Sequence, residues 1–255
     1  MLEPGALGKK IFFLYPPPVL NEVVEELARK EFEVYLVRDH EKLLRILPKE
    51  PDSIVFINID EGIEEPRWAD YVKKLREDEK TSSVGIGIVS MNEDHDLAQK
   101  YLMDLQVPCG FVVVKIGVAK TLEILTKTLE ANEARGRRHF VRAACAPGMA
   151  QCLLDLDGRQ VRGELSDLSS AGMAMTFDSG ITLRPGTILR GLALSVKGVR
   201  LLADGFVAAR REGDGNSTHI VMFDPATLDE KRRDKLRGLV SRLNQARMDK
   251  VLESA

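Results

Sequence analysis

Residues 10–131 alternate between two periodicities, and this restricts the fold more than any other feature of the chain. Short apolar runs at Lys10–Tyr15, Phe32–Val37, Ser53–Ile59, Val84–Val89 and Phe111–Val114 read as strands. Between and after them lie segments with helical spacing. These are Leu20–Lys30, with Leu20, Val23, Val24 and Leu27 on one stripe, then Glu41–Ile46, Trp68–Leu75 and Leu97–Leu105, and finally Val118–Ala131, with Leu122, Leu125 and Leu129 on one stripe. Ser53–Ile59 is rich in β-branched residues, which marks a buried strand. Five strands alternating with five helices predict a parallel sheet covered on both faces. The right-handed crossover rule then gives a doubly wound, flavodoxin-like sheet.

After Glu133 the pattern changes. Gly136-Arg137-Arg138-His139-Phe140-Val141-Arg142 forms a basic junction. Short alternating segments follow at Met149–Leu156, Val161–Leu165, Met173–Phe177, Ile188–Ser195, Val199–Ala209 and His219–Phe223. Asp157-Gly158 and Lys197-Gly198 are hairpin signals, and Gly213-Asp214-Gly215-Asn216 reads as another turn. Six short strands predict a small antiparallel barrel, whose closure removes exposed sheet edges. Pro225 and Thr227 open a long helix, with Asp229 and Glu230 favourably placed near its positive end. Its stripe of Leu236, Leu239, Val240, Leu243 and Val251 is expected to cover an open end of the barrel, a dimer contact being the other reading. The expected organisation is α/β plus all-β: an α/β domain over residues 1–134, and a barrel with a C-terminal helix over residues 135–255.

Charge follows the same division. The formal net charge is −2, but residues 1–133 hold 17 basic and 25 acidic side chains against 20 and 14 in residues 134–255, or −8 against +6. The basic half is the better candidate for an anionic ligand. A nucleic-acid surface is not expected, because no aromatic platform interleaves with the basic residues. No apolar run reaches the ~18 residues of a membrane span, and the N-terminus lacks a basic stretch followed by an apolar one. Cys109, Cys145 and Cys152 form no Cys-x-x-Cys pair, so a reducing cytoplasm is the simplest compartment. Neither a catalytic constellation nor a metal-ligand cluster stands out. His139 reads as a spacer, and His219 lies in a strand without a visible catalytic partner.

Over Lys10–Ala134 the strand order resembles the receiver domain of two-component response regulators, with altered chemistry. The position after the first strand, where receivers hold acidic residues for Mg²⁺, is Tyr15-Pro16-Pro17-Pro18. The phospho-acceptor position falls on Asn58 or Asp60, depending on register. Ser90 matches the switch hydroxyl and Lys115 the phosphate-binding lysine. The resemblance implies a degenerate receiver, not phosphorylated, used for packing or partner binding. A phospho-regulated adaptor acting through Asp60 is the alternative.

Two motifs remain in the basic half. Arg138-x-x-x-Arg142 is preceded by Arg137, and Asp167-Leu168-Ser169-Ser170-Ala171-Gly172 begins 25 residues after Arg142, between two predicted strands. Together they resemble the PilZ domain, the β-barrel receptor for the bacterial second messenger cyclic di-GMP, over about Arg137–Arg242. The chemistry suits that ligand, a compact dianion with two guanine rings. Arginine offers a planar fork for phosphate oxygens and a flat face for stacking. An ionised aspartate accepts guanine N–H donors, and serine donates or accepts. Gly172 permits a close backbone approach or a positive φ.

The resemblance implies that Arg138 and Arg142, on a flexible junction, hold phosphates and stack on guanine. It implies that Asp167 and Ser169 read a guanine edge, and that Arg137 favours a stacked pair of ligands. It also implies a non-enzymatic cytoplasmic receptor without cofactors, monomeric or homodimeric, whose ligand reorients the two domains to signal to a protein partner. Motility, biofilm and virulence control are the outputs it implies.

Overall fold

The computed structural model describes residues 8–178, 180–212 and 217–255, so the turn expected at Gly213–Asn216 lies outside the described residues. Two compact units result, Met1–His139 with Gln245–Ala255, and Phe140–Asn244.

The first unit is the expected doubly wound sheet. Its elements are β1 (Lys10–Leu14), α1 (Leu20–Arg29), β2 (Glu33–Val37), α2 (His40–Ile46), β3 (Ile54–Asn58), α3 (Glu65–Glu77), β4 (Gly85–Ser90), α4 (His95–Gln99), β5 (Phe111–Val113) and α5 (Val118–Ala131). The strands are parallel in the order β2-β1-β3-β4-β5. Strand alternation sorts the core into two layers. Phe12, Leu14, Val55, Ile57, Ile86 and Ile88 pack on one face, and Ile11, Phe13, Ile54, Phe56, Val89 and Val112 on the other. Every residue of β3 is buried, as the sequence implied. Fully burying a side chain of this size contributes about 1.5–3 kcal/mol, so the central strand anchors both layers. The helix expected at Leu97–Leu105 divides in two. The Asp94 carboxylate caps α4 by accepting from the Asp96 amide at 2.9 Å, and Lys100–Asp104 continues in a π-helical turn.

Residues 245–255 complete this unit. Met248 and Leu252 join its core, and the Gln245 amide meets the free edge of β2 twice. Its Oε1 accepts from the Leu36 N–H and its Nε2 donates to the Leu36 carbonyl, both at 2.9 Å.

The second unit is the expected barrel. Its strands are β6 (Arg142–Ala144), β7 (Ala150–Leu156), β8 (Arg159–Ser169), β9 (Gly172–Phe177), β10 (Ile188–Val196), β11 (Val199–Glu212) and β12 (Ser217–Phe223). All pairings are antiparallel in the order β6-β8-β7-β10-β11-β12-β9, and a β8–β9 pairing closes six of the strands into a barrel. Two tight hairpins set the register. Asp157 and Gly158 have φ of 53° and 78°, and Lys197 and Gly198 have 45° and 80°, the paired positive values that a two-residue hairpin needs.

Helix α6 (Glu230–Glu253) starts after Asp229, whose carboxylate accepts from the Arg232 amide at 2.8 Å. Leu236, Leu239, Val240 and Leu243 are buried in the barrel core, as expected of a covering helix. Val251, assigned to the same stripe, is instead 43% exposed.

Candidate ligand-binding site

Two features of the fold differ from the sequence expectation at the motifs. Arg142 does not lie on an irregular junction but begins β6. The Asp-x-Ser-x-x-Gly motif does not sit in a loop either, because β8 runs on through Ser169 and β9 starts at Gly172. The motif residues of β8 are paired on both flanks, with β9 at Asp167–Ala174 and Leu168–Met173 and with β6 on the other side. Pairing of Arg142 with Ser169, Ala143 with Leu168 and Ala144 with Asp167 extends the ladder into the motif.

This register brings residues 25 apart in sequence side by side. Ala143 points into the core at 0% exposure, so Arg142 and Ala144 face outward by alternation. An Arg142 guanidinium nitrogen lies 3.6 Å from the Asp167 carboxylate, with both side chains partly exposed. The backbone beneath Arg142 is tied down as well, since its carbonyl accepts from the Asn244 side-chain amide at 3.1 Å. Asn244 is buried on α6. Beside the pair, the Cys145 amide donates to the Ser166 carbonyl. Burial, with the Asp167 charge second, pushes the Cys145 thiol up to about 11, so it is not a thiolate nucleophile near neutral pH.

Ser169 is buried and occupied within the turn. Its Oγ accepts from the amides of Ala171 at 3.3 Å and Gly172 at 3.1 Å, and donates to the Gly172 carbonyl at 3.0 Å. Gly172 serves a close backbone approach rather than a positive φ. A Cβ there would lie 2.3 Å from the Val221 carbonyl oxygen, and Gly172 is not among the positive-φ residues. Arg137, Arg138 and His139 are exposed and close the first segment of the α/β unit.

His219 has no catalytic setting. It is buried in β12 with its ring 5.0 Å from Phe177, and its Nε2 accepts from the Leu183 amide at 3.0 Å. That bond fastens the β9–β10 connection to the barrel.

The α/β unit presents the receiver-like positions differently. Asn58 ends β3 and is buried, donating from Nδ2 to the Tyr15 carbonyl at 2.8 Å and accepting from the Asp60 amide. The Asp60 carboxylate is engaged at both oxygens, by the Ser90 hydroxyl at 2.7 Å and by the Met91 amide. Lys115 is exposed and makes no ion pair among the described residues. In doubly wound sheets, ligands enter at the carboxyl ends of the strands where the order reverses, here between β1 and β3. The Asn58–Tyr15 bond bridges that gap. Trp68 packs edge-on to Tyr15 and Tyr71, with ring centroids 5.9 and 5.5 Å apart.

Among the described residues, no group of three or more His, Cys, Asp or Glu side chains is arranged to hold a metal ion. No helix among them is long and apolar enough to cross a membrane. Asn244 and Gln245 carried no signal in the sequence, because their partners lie 102 and 209 residues away.

No protein-family model matches the chain, and no curated protein matches it. Solved structures do. The PilZ domain with c-di-GMP of YcgR from Escherichia coli aligns at 19% identity and a TM-score of 0.40, over 45% of this chain and 96% of that one. YcgR of E. coli in complex with c-di-GMP aligns at 19% and 0.42, over 48% of this chain and 52% of that one. The MrkH–c-di-GMP complex of K. pneumonia aligns at 17% and 0.34, over 46% and 54%. The chain thus spans about half the length of those two longer proteins. Among solved structures, part of this chain is similar in fold to the PilZ domain of YcgR.

Proposed function

We propose that this chain is a non-enzymatic bacterial cyclic di-GMP receptor of the PilZ type. The observation that carries the reading is the meeting of Arg142 and Asp167 across β6 and β8. A dianion carrying guanine rings needs a cationic fork and an anionic acceptor on one surface, and two separate sequence motifs supply them there. In this reading Arg142 and Arg138 hold phosphates and stack on guanine, and Asp167 receives guanine N–H donors. Ser169 shapes the turn that presents this edge, and Gly172 lets β9 lie close to β12. Arg137 favours a stacked pair of ligands over a single one. Ligand binding exchanges the Arg142–Asp167 pair for contacts to the nucleotide and reorients the α/β unit, which includes residues 245–255, against the barrel unit. A protein partner then reads the change, in control of motility, biofilm or virulence. The α/β unit serves packing or partner binding, because the Asp60 carboxylate is already committed to Ser90 and Met91.

Calorimetric titration with cyclic di-GMP tests the proposal. Each arginine–phosphate contact contributes about 1.5–3 kcal/mol, so Arg142→Ala is expected to weaken binding roughly 10- to 100-fold and Arg138→Ala/Arg142→Ala to abolish it. A folded wild-type protein that gives no binding heat at any temperature tried would overturn the reading. A plateau at one ligand per chain would remove the role given to Arg137.

A further inference from the structure

One outer face of the barrel departs from the alternation that a solvated sheet follows. The core takes Cys152 and Leu154 from β7, Leu189 from β10, and Leu201, Ala203 and Val207 from β11. Alternation therefore turns Leu153, Ile188, Leu202 and Phe206 outward, where polar residues are the rule. Ile188 and Leu202 are 69% and 58% exposed, and Leu153 and Phe206 are 40% exposed each. Strand pairing gathers them into two rows. Leu153 and Leu202 flank Ala193 of β10, and Phe206 lies between Ile188 and Met222 of β12. Exposed apolar side chains scattered singly are ordinary, whereas neighbours in one ladder make a contiguous patch. Charge lies between the rows. β10 carries Arg190 there, and β11 carries Asp204, whose carboxylate accepts from the Gly191 amide at 2.7 Å. Asp155 follows Leu153 on the same face of β7 and is exposed.

We propose that this face is a self-association surface, on which a second copy of the chain docks about a two-fold axis near Arg190. Area and charge select that occupant. The four outward side chains leave on the order of 400 Å² of surface open, half of the ~800 Å² per partner that a stable interface covers. Such an interface is a little over half apolar, so the charged row and the small residues beside it supply the remainder. A two-fold axis makes one patch its own complement. It lays the Leu153–Leu202 row of one copy on the Ile188–Phe206 row of the other. It also turns Arg190 of each copy toward Asp204 or Asp155 of its partner, so the middle row attracts instead of repelling. An anionic lipid surface, by contrast, would meet the carboxylates of Asp155 and Asp204 in the middle of the patch. None of these positions is a candidate nucleotide-binding residue, so the proposal stands apart from the receptor reading.

Sedimentation velocity of the full chain, from about 1 to 300 μM, tests the proposal. The wild type is expected to pass from monomer to dimer with a midpoint in the micromolar range. Leu202→Asp sets a charge in an apolar row and is expected to weaken association by roughly tenfold or more. Ile188→Thr/Leu202→Thr removes the same apolar surface with residues that favour strands, so the outcome does not hang on whether the aspartate variant folds. It is expected to melt with the wild type and to associate roughly tenfold more weakly or worse. Arg190→Glu, which leaves the middle row with one sign of charge, is expected to weaken association as well. Met103→Thr is the control, because Met103 is an exposed apolar residue of the α/β unit, away from this face. It is expected to dimerise as the wild type does. A wild type that stays monomeric throughout, or a dimer equally stable in the two-threonine variant, overturns the proposal. Should the monomeric wild type sediment with phosphatidylglycerol vesicles and the two-threonine variant not, the face belongs to a lipid surface instead.

Discussion

Replacing Gly172 by alanine separates the two uses that the motif glycine can have. A Cβ at this position lies 2.3 Å from the Val221 carbonyl oxygen and 3.2 Å from the Met222 Cα. Carbon–oxygen contacts in sheets are ordinarily about 3.3–3.6 Å, so β12 must retreat by about 1 Å from β9. It cannot do so freely, because Met222 pairs with Gly172 and Val221 with Met173 in the ladder that closes this side of the barrel. Overpacking of this kind costs about 1–3 kcal/mol, and a weakened ladder bond adds about 1 kcal/mol. At about 2–4 °C per kcal/mol for a chain of this size, the melting temperature is expected to fall by roughly 4–16 °C. Gly205→Ala is the matched control. Its Cβ would lie 2.4 Å from the Met222 carbonyl on the other edge of β12, outside the motif. Scanning calorimetry of the two variants is expected to give falls of similar size. Should Gly172→Ala melt with the wild type and lose only nucleotide affinity, while Gly205→Ala falls, the steric argument is wrong and the glycine serves the ligand.

Two further outcomes concern titration. Burial first, and Arg210 second, hold the His219 pKa below its usual value, so the folded chain favours the neutral ring that accepts from Leu183. The unfolded ring takes up a proton below about pH 6.5, so stability is expected to fall as the pH drops through that value. Urea midpoints at pH 7.5 and 5.0 should differ less in His219→Phe than in the wild type; equal differences would refute the assignment. Burial also raises the Cys109 and Cys152 thiols to about 11 and 12. Both are expected to resist iodoacetamide in the native chain at pH 8, and stability to decline above about pH 8.5, where only the unfolded thiols ionise. Rapid native alkylation of either, read by mass spectrometry, would count against that.

The α/β unit was legible in the sequence because its signal is local. The central strands are runs of buried apolar residues, and α1, α3 and α5 each show a buried stripe. The barrel was legible through its turn dipeptides, Asp157-Gly158 and Lys197-Gly198, whose conformation is set by the residues themselves. β6 was not. Arg142-Ala143-Ala144 has no apolar run and one inward side chain, and only the partner strand makes it a strand. Pairing with β6, together with β9 at Asp167–Ala174, moved Asp167 and Ser169 from an expected loop into β8. The candidate residues were chosen from motif chemistry, whereas Ser169's engagement with its own turn depends on backbone geometry that spacing does not encode. Val251 followed the helical period, yet the core that takes up the end of α6 receives Met248 and Leu252 instead.

The hold of Gln245 on Leu36 has a consequence for handling the protein. A parallel sheet has two open flanks, and an unpaired flank is a template for another chain's backbone. On one side β5 is only three residues long, which makes a poor template. On the other, β2 offers five residues, and Gln245 occupies the N–H and carbonyl at its fourth position. The tail from Gln245 onward therefore acts as a guard rail against strand addition. Trimming it to obtain a shorter version would expose β2 to intermolecular sheet growth, and precipitation would be the result even where the barrel itself stayed folded.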